Sequence, residues 1–194
     1  DSGDWFGESV TLSRDGTTAL IGAPKNDFPN DSGESILSGE GSAYVFDRAG
    51  GSWTQQAKLT PDYVPSMDAF GVSVALSSDG ATALVGAYHD EDPNTGRLGT
   101  DYVFDRSGGS WTQQAKLAPD DVDSDDEFGG SVTLSGDGTT ALIGADTDSA
   151  PNGENSGSAY VFDSRGDSWT QQAKLVPDDG DSDDFFGNSV TLSS

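Results

Sequence analysis

Alternating carboxylates are the most chemically suggestive pattern in this chain. Asp121, Asp123 and Asp125 occupy every second position, and Asp179, Asp181 and Asp183 repeat that spacing. Carboxylates alternating in a loop can converge on a hard cation such as Ca²⁺, which takes six to eight oxygen ligands. The sixth position is Asp126 or Asp184 where an EF-hand needs Gly, and the twelfth is Val132 or Val190 where it needs Glu. These are not EF-hand loops. The six aspartates are candidate calcium ligands, set against the plainer reading of a solvated acidic loop. The equivalent earlier stretch, Asp62-Tyr63-Val64-Pro65-Ser66-Met67-Asp68, has lost the pattern. Calcium is the one cofactor the sequence suggests.

Little else could carry catalysis. His89, in Tyr88-His89-Asp90-Glu91-Asp92, is the single histidine, and cysteine is absent. An imidazole can act as base or ligand, but without a partner fixed by spacing this patch reads as a polar loop. No thiolate metal site or disulfide can form. Asn30-Asp31-Ser32 is a glycosylation sequon, which makes Asn30 a candidate glycan site. We expect no enzyme and no catalytic residues.

Charge excludes whole classes of partner. Acidic residues number 34 against nine Lys plus Arg, for a net charge of −25. Nucleic acid is excluded as a default partner, because phosphate binding needs cations to displace counterions. No apolar run approaches the roughly 18 residues of a membrane span. Leu, Ile, Val and Phe make up only 36 of 194 residues, a composition bordering on that of disordered chains. The ordering of the residues argues otherwise.

One motif is copied along the chain. Phe-Gly occurs at Phe6-Gly7, Phe70-Gly71, Phe128-Gly129 and Phe186-Gly187. Gly-Ala follows at Gly22-Ala23, Gly86-Ala87 and Gly144-Ala145. Tyr-Val-Phe-Asp begins at Tyr44, Tyr102 and Tyr160, and Trp-Thr-Gln-Gln-Ala-Lys-Leu at Trp53, Trp111 and Trp169. The first copy is longer only between Ala23 and Tyr44, which marks that segment, with Asn30, as a surface loop. Each copy reads as four short strands. In the first, Val10 and Leu12 share a face, Asp15-Gly16 signals a hairpin, and Thr18 to Ala23 is buried on both faces. Ala43 to Phe46 follows. Strict alternation then places Trp53, Ala57 and Leu59 on one face of the fourth strand, with Thr54, Gln56 and Lys58 on the other. No helical period appears, so the fold class is all-β. Asp15, Asp79 and Asp137 read as turn residues. Asp4, Asp68, Asp126 and Asp184, each two residues before Phe-Gly, read as architectural groups that hydrogen-bond a loop.

Phe6-Gly7 followed by Gly22-Ala23-Pro24 resembles the FG-GAP repeats of the integrin α-chain β-propeller. The Trp-Thr-Gln-Gln-Ala-Lys-Leu runs are similar to those in related repeats of bacterial and archaeal surface proteins. The resemblance implies four-stranded antiparallel blades, with the Phe-Gly strand innermost and the Trp strand outermost. Lys58, Lys116 and Lys174 agree with that order, since lysine is a common guard of an exposed sheet edge. The Pro of the motif survives only as Pro24, with Tyr88 and Asp146 in later copies. Integrin-type repeats often carry a calcium loop between the first two strands. Here that hairpin is only Ser13 to Thr17, Ser77 to Ala81 and Ser135 to Thr139, with one carboxylate each, so the family's calcium role does not transfer there.

We therefore expect three blades, 1–59, 60–117 and 118–175, and a fourth repeat begun by an inner strand within 176–194. The expected role is structural or adhesive, non-catalytic, and extracellular or at the cell surface. The rival roles are a calcium-dependent adhesion module and a carbohydrate-binding or carbohydrate-active propeller. Expected partners are a second copy or further blades of a longer parent, with surface glycans or proteins beyond them. The chain starts at Asp1 without Met, as a processed or excerpted segment would. Asp outnumbers Glu 28 to 6 with only four lysines. That balance suggests a halophilic archaeon or bacterium, because high salt screens the self-repulsion of such a surface.

Overall fold

A computed structural model describes residues 3–25, 41–62, 69–89, 91–92, 96–97, 99–121, 126–149, 153–166 and 168–193. The described residues contain strands and no helix. The first antiparallel sheet runs in chain order through β1 (Val10–Leu12), β2 (Thr18–Ala23), β3 (Ser42–Ala49) and β4 (Ser52–Leu59). The second is built from β5 (Val74–Leu76), β6 (Thr82–Ala87), β9 (Thr100–Ser107) and β10 (Ser110–Leu117). A small hairpin, β7 (Glu91–Asp92) with β8 (Gly96–Arg97), is inserted between β6 and β9. The third sheet comprises β11 (Ser131–Leu134), β12 (Thr140–Ala145), β13 (Ser158–Arg165) and β14 (Ser168–Leu175). The Phe-Gly strand lies at one edge of every sheet and the Trp strand at the other. First strands of neighbouring sheets pack together, so the sheets stack as propeller-like blades, without closing into a ring.

Local chemistry sets the hairpins. Ser13 Oγ donates to Asp15 Oδ1 at 2.7 Å, and the Thr17 amide donates to the same oxygen at 2.9 Å. The Ser13 bond first, then those from Thr17, hold the Asp15 carboxyl below its ordinary pKa. Ser77 with Asp79 and Ser135 with Asp137 repeat the device. These aspartates terminate turns, as the sequence led us to expect.

The fourth strand departs from strict alternation. β3 pairs Phe46 with Gln55 but Val45 with Ala57, leaving Gln56 as a bulge. Gln114 and Gln172 occupy the same place in the later sheets. An extra residue on one strand reverses the facing of everything beyond it. Trp111 consequently packs with Tyr102 and Phe104 against the first sheet, while Ala115 and Leu117 pack against the third. Trp53 is likewise on the face opposite Ala57 and Leu59, which corrects the alternation reading. The bulged Gln is anchored locally: Gln56, Gln114 and Gln172 each donate Nε2 to the Thr Oγ1 two residues earlier, at 3.0, 2.9 and 2.8 Å.

Two cores fill the junctions between sheets. Leu20, Ala43, Val45 and Leu59 meet Phe70, Val85, Tyr102 and Phe104, and the next junction repeats this set with Asp101 in the place of Ala43 and Ile143 in that of Val85. Phe70 and Phe128 are fully buried, edge-on to the Tyr and Phe of their own sheet. Each such burial contributes about 1.5–3 kcal/mol. Phe-Gly forms the centre of a turn closed by the Val72 amide on the Ala69 carbonyl at 3.0 Å, with Gly71 at φ 93°. The residue before each Phe carries the strain: Trp5, Ala69, Glu127 and Phe185 all have φ between 52° and 54°. Left-handed φ costs an L residue roughly 1–2 kcal/mol. Ala69→Gly is expected to raise the urea midpoint at unchanged slope, and Ala69→Val to lower it, since β-branched residues tolerate this region worst. Equal midpoints for the two variants would show that position 69 is unstrained.

Candidate functional site

Of the six candidate calcium ligands, Asp121, Asp179, Asp181 and Asp183 fall among the described residues. Asp123 and Asp125 lie outside the described residues, as does Asn30. Asp121 Oδ2 accepts from Lys174 Nζ at 3.0 Å. Asp179, Asp181 and Asp183 are exposed. Asp183 Oδ1 accepts from Asn155 Nδ2 at 3.2 Å, and the Asp181 amide donates to Asp184 Oδ2 at 2.7 Å. That last contact gives Asp184 the loop-bonding role expected of the aspartates before Phe-Gly. Among the described residues, no three His, Cys, Asp or Glu side chains are arranged to hold a metal ion. His89 is half-buried, its ring centroid 3.9 Å from that of Tyr88.

The most developed polar cluster is one that sequence reasoning missed. Asp148 is buried at the edge of the third sheet. Its Oδ2 accepts from Ser158 Oγ at 2.6 Å and Tyr160 OH at 3.0 Å, and pairs with Lys174 Nζ at 2.7 Å. Burial opposes the Lys174 charge, but hydrogen bonds to Asp148, Tyr160 and Asp121 outweigh it, so the ammonium pKa is raised. Burial raises that of the Tyr160 hydroxyl. Both groups hold their protons at neutral pH, and the cluster presents neither a free base nor a nucleophile. It ties β13 and β14 to the loop after β12. The only sequence signal was the conjunction of the recurring Tyr and Lys with an acid at position 148. In all three sheets the fourth-strand lysine lies over the third-strand tyrosine ring, at 5.7, 5.5 and 5.2 Å.

Polar pairing at the two internal junctions is unequal. Between the first and second sheets, Arg106 makes a two-pronged contact with Asp47, Nη1 to Oδ1 at 3.1 Å and Nη2 to Oδ2 at 2.5 Å. Between the second and third sheets, Ser164 stands where Arg106 does, and the buried Oδ1 of Asp105 has no hydrogen-bond partner among the described residues. Asp101, fully buried at the same junction, has neither oxygen paired among the described residues. Its counterparts in the other sheets are Ala43 and Ala159. Burial holds its carboxyl well above the ordinary aspartate pKa.

No helix among the described residues is long and apolar enough to cross a membrane. Compared with known families, residues 1–46, 53–104, 111–162 and 169–194 match the FG-GAP repeat. No curated protein matches the sequence.

Proposed function

Because the chain belongs to the FG-GAP repeat family, we propose that it is a non-catalytic β-propeller segment of an extracellular or cell-surface protein, structural or adhesive in role and adapted to high salt. FG-GAP repeats are typical of extracellular modules and generally non-enzymatic. One observation carries the reading. The residues shared by all copies go into blade packing, turns and edge guards, and most of the acids outside those shared positions fall in the stretches between the recurring strand motifs. Such a molecule offers a rigid scaffold with an acidic, hydrated surface. The blade bounds 1–59, 60–117 and 118–175 are part of this proposal, as is a glycan on Asn30 in the first-copy insertion. Surface labelling of intact source cells with an antibody to this chain tests the location. Labelling that requires cell lysis would overturn it.

Salt separates general screening from the calcium-dependent version. The Debye length falls from about 10 Å at 0.1 M to about 3 Å at 1 M salt, so repulsion among 25 net charges fades over that range. The melting temperature should climb steeply with KCl alone. Lys174 and Asn155 already engage Asp121 and Asp183, so millimolar Ca²⁺ at fixed ionic strength should add little. A large Ca²⁺ increment, lost in Asp181→Asn, would favour the calcium version instead.

A further inference from the structure

We propose that copies of this chain join head to tail, the third sheet of one seated against the first sheet of the next. Phe186–Leu192 of the first copy then replaces Phe6–Leu12 of the second as the inner strand. This inference rests on the blade reading above and names the partner: a second copy.

The same junction is already built twice within the chain. The face each sheet turns toward the following repeat carries Leu20, Val45 and Leu59, then Leu84, Val103 and Leu117. In the third sheet the matching positions are Leu142, Val161 and Leu175. The opposite face carries Phe70, Tyr102 and Phe104, and then Phe128, Tyr160 and Phe162. In the first sheet its counterparts are Phe6, Tyr44 and Phe46. Phe6 is 55% exposed where Phe70 and Phe128 are 0%, and Leu175 is 41% exposed where Leu59 is 3% and Leu117 is 2%. One end of the stack therefore shows the face that the other end is shaped to receive. Such a contact is heterologous and propagates into a ring or an open chain.

Polar groups match as well. Arg106 reaches back from the second sheet to Asp47 in the first. Its counterpart Arg48 is exposed on the open face of the first sheet. Asp163, the counterpart of Asp47, accepts only from Thr140 Oγ1, at 2.9 Å, among the described residues. Across the junction Arg48 of one copy meets Asp163 of the other. The Asp62 and Asp120 amides donate to Gln113 and Gln171 Oε1 at 3.0 and 3.1 Å, which leaves the corresponding Asp178 amide to Gln55 of the next copy.

Inner strands are in excess, which dictates an exchange. Residues 184–193 match residues 4–13 at eight of ten positions. Phe186 is already seated on the third sheet, through a parallel bridge to Gly157 like that of Phe70 to Gly41. No strand pairs with 190–193 on the far side among the described residues. In the first sheet, β1 pairs only with β2 among the described residues, and Val10 and Leu12 are 59% and 54% exposed. Two inner strands cannot share one site. Because Ser-Val-Thr-Leu is common to both, exchange leaves the pairing with β2 unchanged while the two open faces become buried.

Sedimentation velocity in molar KCl, across micromolar to several hundred micromolar protein, tests the association. The expected result is a mass that grows with concentration in steps of one chain. Arg48→Glu should weaken it roughly tenfold or more, and combining Arg48→Glu with Asp163→Arg should restore it. Strand exchange is read separately. Val10 opposes Ile21 in β2, so Val190 of a neighbour would oppose it instead, and the chain has no native cysteine. Oxidised Ile21→Cys/Val190→Cys should give a disulfide-linked ladder. Association without that ladder would overturn the exchange. A monomer with an intact β-sheet spectrum at every concentration would overturn the whole junction and assign the open faces to further repeats. Loss of the β-sheet spectrum itself would count against the blade reading.

Discussion

Gly86→Ala is expected to open the junction between the second and third sheets, at a cost of at least about 3 kcal/mol. A Cβ at position 86 would stand 2.2 Å from the Gly129 carbonyl oxygen and 2.3 Å from Ser73 Oγ. Neither can retreat cheaply. The Gly129 amide donates to the Gly144 carbonyl at 3.0 Å, and Ser73 Oγ donates to the Gly129 carbonyl at 2.7 Å. Yielding would also lift Phe128 from its fully buried seat beside Tyr160 and Phe162. Gly130 is the internal control. A Cβ there would come no closer than 3.4 Å to any neighbour, and its φ is not positive. Gly130→Ala should change stability by less than about 0.5 kcal/mol. Urea titrations in 1 M KCl, compared with wild type, decide the matter. Similar midpoints for the two variants would mean that the glycines are not what sets the blade spacing.

That contact explains why the two dipeptides recur together. The Gly-Ala glycine of each repeat meets the carbonyl of the Phe-Gly glycine of the next, at Gly22 with Gly71, Gly86 with Gly129 and Gly144 with Gly187. Spacing exposed the repeats and the four strands per sheet, because turn residues and apolar runs are local signals, while the edge order came from the family resemblance with the fourth-strand lysines in agreement. Spacing could not show that one glycine motif is the seat of the other, since the partners are more than forty residues apart. Nor could it place Trp53, because a period of two continues through a bulge that only the pairing of β3 with β4 reveals. Asp148 was hidden for a similar reason. Its partners Ser158, Tyr160 and Lys174 come from two strands, and an aspartate in an acid-rich loop carries no mark of burial. The candidate metal ligands were legible as a pattern, but a pattern of carboxylates does not say which cation or amide already engages them.

The second sheet carries a polar burden that the others lack, and its removal should stabilise the protein. Asp101 is fully buried, and among the described residues neither of its oxygens has a partner. The groups crowding it are Gly86 and Gly129; a Cβ on Gly129 would lie 3.0 Å from Asp101 Oδ2. An unpaired polar group in such a place costs about 1–3 kcal/mol, so Asp101→Ala should gain on that order at neutral pH. The other two sheets already hold a buried alanine, Ala43 and Ala159, at this position. The gain must depend on pH, and its sign is fixed. Burial raises the carboxyl pKa in the native state, so the folded protein keeps a proton that the unfolded chain releases. The contribution of Asp101 is most favourable below the ordinary aspartate pKa and is lost as pH rises through the folded value. Asp15, Asp79 and Asp137 are shifted downward and act in the opposite sense. Their effect is common to both proteins and cancels in the difference. Melting temperatures of wild type and Asp101→Ala should therefore lie closest in acid and separate as pH rises, with Asp101→Asn showing a pH-independent offset from Asp101→Ala. Curves that stay parallel from about pH 4 to 8 would show that Asp101 does not titrate across the junction.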